Sequence, residues 1–189
     1  MPDFLLLLAG ALLVALPLWL RGRFWSFAAQ RPEDYLAGTP IDLHRHLNGK
    51  MICEGVIYGP AGRVVSRFVA DMEGRWQGSR GQLIERFHFD SGTVQDRVWD
   101  LTLGPDGRIA ATAPDMPNGA TGQVRGSGML MRYDVRLMPE AGGHLLSVTD
   151  WMHLAPNGTL VNRSQFRKFG LKVAELVAVI RPAEGARDV

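Results

Sequence analysis

Residues 87–103, FHFDSGTVQDRVWDLTL, read as two β-strands joined by a turn at Asp90-Ser91-Gly92-Thr93. Strand side chains alternate between the faces of a sheet, so Phe87 and Phe89 share a face that Trp99, Leu101 and Leu103 continue. By the same count Arg97 falls on that face. A guanidinium on an apolar sheet face needs a reason, because a charge taken out of water is costly unless a partner meets it. The stretch therefore predicts an antiparallel hairpin with a polar group on its inner side.

Working outward, turn signals recur at Gly59-Pro60-Ala61-Gly62, Gly78-Ser79-Arg80-Gly81, Gly104-Pro105-Asp106-Gly107, Glu140-Ala141-Gly142-Gly143 and Pro156-Asn157-Gly158. Between them lie strand-length segments with partial alternation, VVSRFVADM, LIERFHF, MLMRYDVRL, LLSVTDWMHL and TLVNRSQFRKF. This spacing predicts an all-β chain, an antiparallel meander of about eight to ten strands. A meander must protect its edges, and closing into a barrel or half-barrel does so; a two-sheet sandwich is the competing architecture. The run 113–128, APDMPNGATGQVRGSG, is expected as a long loop at a barrel mouth. Residues 171–180, LKVAELVAVI, fit a closing strand or a short helix, and the Val-rich composition favours the strand. The barrel is placed at 49–181, and a disordered tail at 182–189.

The amino end is of another kind. Phe4–Leu20, FLLLLAGALLVALPLWL, carries no charge and is followed by Arg21, Arg23 and Phe24-Trp25. Its length suits a bilayer-spanning helix, with tryptophan and arginine at the interface, so residues 1–25 are expected as an uncleaved anchor. A cleaved signal peptide is the rival reading, opposed by Asp3 in the n-region. Residues 26–48 are polar, interrupted by Pro32 and Pro40, and read as a tether.

Net charge is +2, with the two signs interspersed along the chain, which gives nucleic acid no stripe to follow. The single cysteine, Cys53, permits no internal disulfide and reads as a small core residue. His44 and His46 could share one side of an extended segment, but no third ligand follows at a metal-binding spacing. Asp71, Glu73 and Asp96 fall on charged faces and read as solvated ion pairs rather than an acid–base pair. GATGQVRGSG lacks the strand-then-helix context of a phosphate loop. No metal, cofactor or catalytic residue is expected.

Taken together, GRVVSRFVADMEGRW, FHFDSGTVQDRVWDL, GSGMLMRYDV and VTDWMHLAPNGTLVNRSQFRKFGLKVAEL resemble the bacterial family called domain of unknown function 3833, over about residues 32–181. The resemblance implies an envelope-associated barrel of lipocalin-like, or calycin, shape with no established activity. Members of that family often look like lipoproteins, whereas the lone Cys53 lies inside the first strand, so a protein helix would replace the lipid. Those relatives point to the periplasmic side of the inner membrane; the arginines after the helix point to the cytoplasm.

Two further strands place a polar residue on their apolar side: Asp150 with Leu146, Val148 and Met152, and Asn162 with Leu160 and Phe166. An inward Arg97 is expected to pair with Asp150 and to bond Asn162, since a guanidinium can meet a carboxylate and an amide at once. With Trp99 and Tyr133 these make the candidate ligand-binding set. The cluster is either a structural plug or an anchor for the head of a lipid or fatty acid. The function expected is a membrane-anchored lipocalin-like binding module; the alternative is a structural or partner-binding envelope protein with a filled barrel.

Overall fold

A computed structural model of the chain describes residues 2–24 and 26–183. Trp25, part of the expected interfacial anchor, and residues 184–189, most of the expected disordered tail, lie outside the described residues. After α1 (Pro2–Phe24) come 3-10 turns at Phe27–Ala29 and Pro32–Tyr35 and a one-turn helix α2 (Leu43–His46). Ten strands follow: β1 (Gly49–Tyr58), β2 (Val64–Gln77), β3 (Arg80–Phe89), β4 (Val94–Leu103), β5 (Arg108–Thr112), β6 (Ala120–Arg125), β7 (Gly128–Arg136), β8 (Leu145–Leu154), β9 (Leu160–Lys168) and β10 (Leu171–Pro182). Each pairs antiparallel with the next, and β1 pairs with β10, so the sheet is a closed barrel.

The hairpin at 87–103 forms as read. Phe89 N–H donates to Thr93 O at 3.0 Å, and Leu83 faces Trp99 while Glu85 faces Arg97. Inward residues meet in a main core that includes Met51, Cys53, Phe68, Ala70, Met72, Leu83, Trp99, Met131 and Ile180, with a smaller cluster of Val135, Leu146 and Val148 on β7 and β8. Burying each large side chain of this set contributes about 1.5–3 kcal/mol. Closure excludes the open sandwich. It also decides residues 171–180, whose backbone bonds to β1 on one side and β9 on the other, leaving no helical alternative.

Two expectations are corrected. The loop proposed for 113–128 shrinks to 113–119, because Ala120–Arg125 is β6, paired with β5 and β7. Two neighbouring ladders had backbone groups to satisfy there, and that demand outweighs the Gly-rich composition. The tether proposed for 26–48 is packed on the barrel. Ile41, Leu43 and Leu47 are buried in the core, and α2 closes one end of the barrel. Asp42 caps α2 by accepting from His44 N–H at 2.9 Å, and Trp76 Nε1 donates to Leu47 O at 2.8 Å. Gly74 is needed beneath this cap, since a Cβ there would collide with the Leu47 carbonyl.

Farther along the outer wall, Tyr35 stands edge-on to Trp151 at 5.2 Å and lies 4.5 Å from His153. Backbone bonds from Ser127 N–H to Tyr35 O (2.9 Å) and from Ile41 N–H to Gly126 O (2.8 Å) hold the segment in place. This explains why Trp151, on the outer face of β8, is only 1% exposed.

Helix α1 is apolar on all sides. Its span Asp3–Gly22 has a mean hydropathy of 2.2 and none of it is buried. It is long and apolar enough to cross a bilayer as a membrane anchor, or to serve as a signal sequence.

At the β9–β10 turn, Phe169 holds φ +53° with its ring 93% exposed. A left-handed backbone costs a residue with a Cβ about 1–2 kcal/mol, and here the ring recovers little by burial. Phe169→Gly is therefore expected to raise stability by about 1 kcal/mol. A thermal melt of the full chain checks this, and a lowered midpoint would show that the ring makes a stabilising contact.

Candidate functional site

The barrel interior holds a cavity of about 120 Å³. Phe68, Met72, Phe87, Leu101, Met129 and Met131 give it apolar walls, and Glu85, Arg97, Tyr133, Asp150, Asn162 and Ser164 bring polar atoms to it. Alternation alone delivers these groups: each occupies the inward register of its strand, β3, β4, β7, β8 or β9. Leu43 and Leu47 bring the α2 cap to one end of the cavity, and the loop 113–119 reaches it only through Asp115, which pairs with the lining residue Arg97. That loop turns back into the barrel, placing Met116 in the core, and is fixed where Arg136 N–H donates to Asp115 O at 2.8 Å.

Arg97 faces inward, as its register requires, but its partner is not Asp150. Its Nε donates to Asp115 Oδ1 at 3.2 Å and lies 3.1 Å from Oδ2, with both side chains mostly buried. The guanidinium carbon lies 4.1 Å from the centre of the Trp99 ring and 5.7 Å from that of Tyr133, so the cation is also held by aromatic faces. Its Nη2 is buried with no hydrogen-bond partner, alone in this among the buried side-chain nitrogens and oxygens of the described residues.

Asp150 is met by neutral donors instead. Asn162 Nδ2 donates to it in a short contact, Ser164 Oγ donates at 2.8 Å and Tyr133 OH at 3.4 Å; Asn162 also donates to Trp151 O at 3.0 Å. Its lone pairs are occupied by neighbours on β7 and β9, and Arg97 acts on it only through its field. Of the five candidate residues, then, all line one interior. Arg97 groups with Asp115 and Trp99, and Asp150 with Asn162; Tyr133 bridges the two, donating to Asp150 while its ring packs edge-on to Trp99 at 5.2 Å and its hydroxyl acts on the Arg97 guanidinium.

Glu85 was absent from the candidates. It is buried opposite Arg97 and accepts from Trp99 Nε1 at 2.9 Å. Burial pushes its carboxyl up to about 7, against the opposing pull of Arg97 and the Trp99 hydrogen bond; Asp150 and Asp115 push it further up. Burial likewise raises Asp150, in spite of its donors, and holds the Tyr133 phenol well above its usual range. The Cys53 thiol is pushed up to about 12, first by burial and then by Glu85, Asp150 and Glu54, so it is an inert core group and no nucleophile.

Glu85 was legible, since LIERFHF puts it on the face of Leu83, Phe87 and Phe89. Asp115 carried no such signal, because a loop residue has no period to assign it a side.

The remaining candidates lie elsewhere. His44 Nε2 is 2.8 Å from Gly78 O, and His46 Nδ1 accepts from Asp42 N–H at 3.0 Å, so each ring has a structural partner. On the outer wall Glu73 pairs with Arg75 at 2.9 Å, Asp96 with Arg86 at 3.6 Å and Asp71 with His88 at 3.8 Å.

Among solved structures, the fold is similar to the S-type phycobiliprotein lyase CPES of Guillardia theta. The two are 5% identical with a TM-score of 0.54, over 76% of this chain and 92% of that one. A redesigned β-barrel, mFAP1 bound to DFHBI, matches with a TM-score of 0.39 and 9% identity over 72% of this chain and 95% of that one. No curated protein matches the sequence. Residues 22–182 match the family described as Protein of unknown function (DUF3833), and the chain belongs to that family.

Proposed function

We propose that the chain is a membrane-anchored, lipocalin-like binding module whose barrel takes a small hydrophobic or amphiphilic ligand. One observation carries the reading: a cavity inside the barrel with apolar walls onto which a few polar groups converge. At about 120 Å³ it is below the range of about 300–1,000 Å³ common for ligand pockets. It is nearer to an engineered cavity of about 150 Å³ that takes benzene. The occupant is therefore a single ring or the end of a chain, with Met72, Met129, Met131 and Met152 able to repack around something longer.

The anchor is α1, which would hold the barrel where bilayer-derived ligands are concentrated. We place the barrel on the periplasmic side, in keeping with the lipoprotein-like relatives, and a reporter fused after Val189 tests that. Deleting residues 1–25 should release the protein from membranes; a truncated chain still bound to them would remove the anchor.

Native mass spectrometry of the full chain released from nanodiscs tests the binding itself. A bound small molecule, or uptake of an added one, is the expected result. An empty barrel that takes up nothing would favour the second reading, a structural or partner-binding protein with a self-filled interior. That reading has its own support in the Asp150 network, whose hydrogen bonds close without a ligand.

A further inference from the structure

Resting on the binding-module reading, we infer that the head group this cavity accepts is a neutral carbonyl of the amide, ester or ketone class, received by Arg97. A free carboxylate is rejected at neutral and higher pH. A guanidinium donates hydrogen bonds and accepts none, so whatever completes Arg97 Nη2 is an acceptor.

Charge then separates the acceptors. The cation is already paired with Asp115 at 3.1 Å, Glu85 is its register partner on β3, and Asp150 lies within reach of its field. Three carboxyl groups share one guanidinium. A further full negative charge would meet no free cation in a poorly screened interior, whereas a carbonyl oxygen supplies the bond without the charge. An amide does more, because its N–H can be given to Glu85, whose Oε2 already accepts from Trp99. Asp150 has its donors and needs none from the ligand.

Glu85 makes the discrimination depend on pH. The groups around it are Arg97 on β4, Asp115 on the 113–119 loop, Tyr133 on β7, Asp150 on β8 and Cys53 on β1. Tyr133 and Cys53 stay neutral through the working range. Below about 7 the Glu85 carboxyl takes a proton, one negative charge leaves the wall, and a carboxylate ligand becomes tolerable.

The test uses the full chain in nanodiscs and four probes of one ring each: benzamide, benzoate, benzamidine and toluene. Binding is read from the indole N–H resonance of Trp99, assigned among the five tryptophans by Trp99→Phe. At pH 8 benzamide is expected to bind at least about tenfold tighter than benzoate and benzamidine, and tighter than toluene. At pH 6 the gap to benzoate should narrow, and Glu85→Gln should abolish that pH dependence.

If Glu85→Gln does not fold, the wild-type comparison at the two pH values decides alone. Benzoate or benzamidine binding tightest at pH 8 overturns the inference. Toluene binding as tightly as benzamide overturns it too, but leaves a binding module. A Trp99 resonance that none of the four moves overturns both.

Discussion

Asp150→Ala is expected to destabilise the barrel by about 3–5 kcal/mol, because it takes the acceptor from several buried hydrogen-bond donors at once. The Tyr133 hydroxyl would be left without its acceptor inside the core, Ser164 Oγ would keep only a long bond of 3.5 Å to Asn162 Oδ1, and Asn162 Nδ2 would keep only its bond to Trp151 O. Each orphaned buried donor costs about 1–3 kcal/mol. Asp150→Asn separates hydrogen bonding from charge. It keeps a carbonyl acceptor and removes a carboxylate whose ionisation burial already opposes, so its cost should stay below about 1 kcal/mol. Thermal unfolding followed by near-UV circular dichroism distinguishes the two. An alanine variant as stable as wild type would show that the network does not hold the barrel together.

The second large effect is a loss of stability as pH rises. Glu85 titrates near the ordinary 4.5 when unfolded and at about 7 when folded. Between those values the folded chain holds a proton that the unfolded chain has released. Stability therefore falls with increasing pH across this window and levels off above it, by about 3 kcal/mol in all. Asp150, also raised by burial, adds to the same trend. Glu175 acts the other way, since Lys172 and Arg163 hold its carboxyl below its usual range against a burial effect that raises it, but its contribution is lost only at acid pH. Melts from pH 5 to pH 8 should show wild type declining and Glu85→Gln declining clearly less, by the share that Asp150 contributes. Parallel curves for the two proteins would place the Glu85 proton elsewhere.

Period two was enough to read the hairpin at 87–103 and to send Arg97, Asp150 and Asn162 inward, because alternation is enforced wherever one sheet face is buried. The same count that placed Phe87 also puts Glu85 inward, although Glu85 is not among the residues expected at the site. What alternation cannot supply is partnership between strands that are distant in sequence. Arg97 met Asp115 because a loop folds back over the barrel end, and Asp150 was already served by Ser164, Asn162 and Tyr133. The segment before β1 was misjudged for a related reason. Ile41, Leu43 and Leu47 are too few to show a period, and their burial depends on the open end of a barrel that closes only later in the chain. Nor could composition find β6, where Gly and Thr suggest a turn while the ladders on either side require a strand.

The pairing of β1 with β10 also sets the order of events during synthesis. Cys53 has Ile180 as its register partner, so the first strand made waits for the last before its outer ladder can form. Closing so long a loop is slow, and until it closes both β1 and its newest neighbour present unpaired edges to other chains. A nascent chain that stalls before Leu171 holds nearly the whole interior yet cannot shut it, which makes the final dozen strand residues the latch on which escape from aggregation depends.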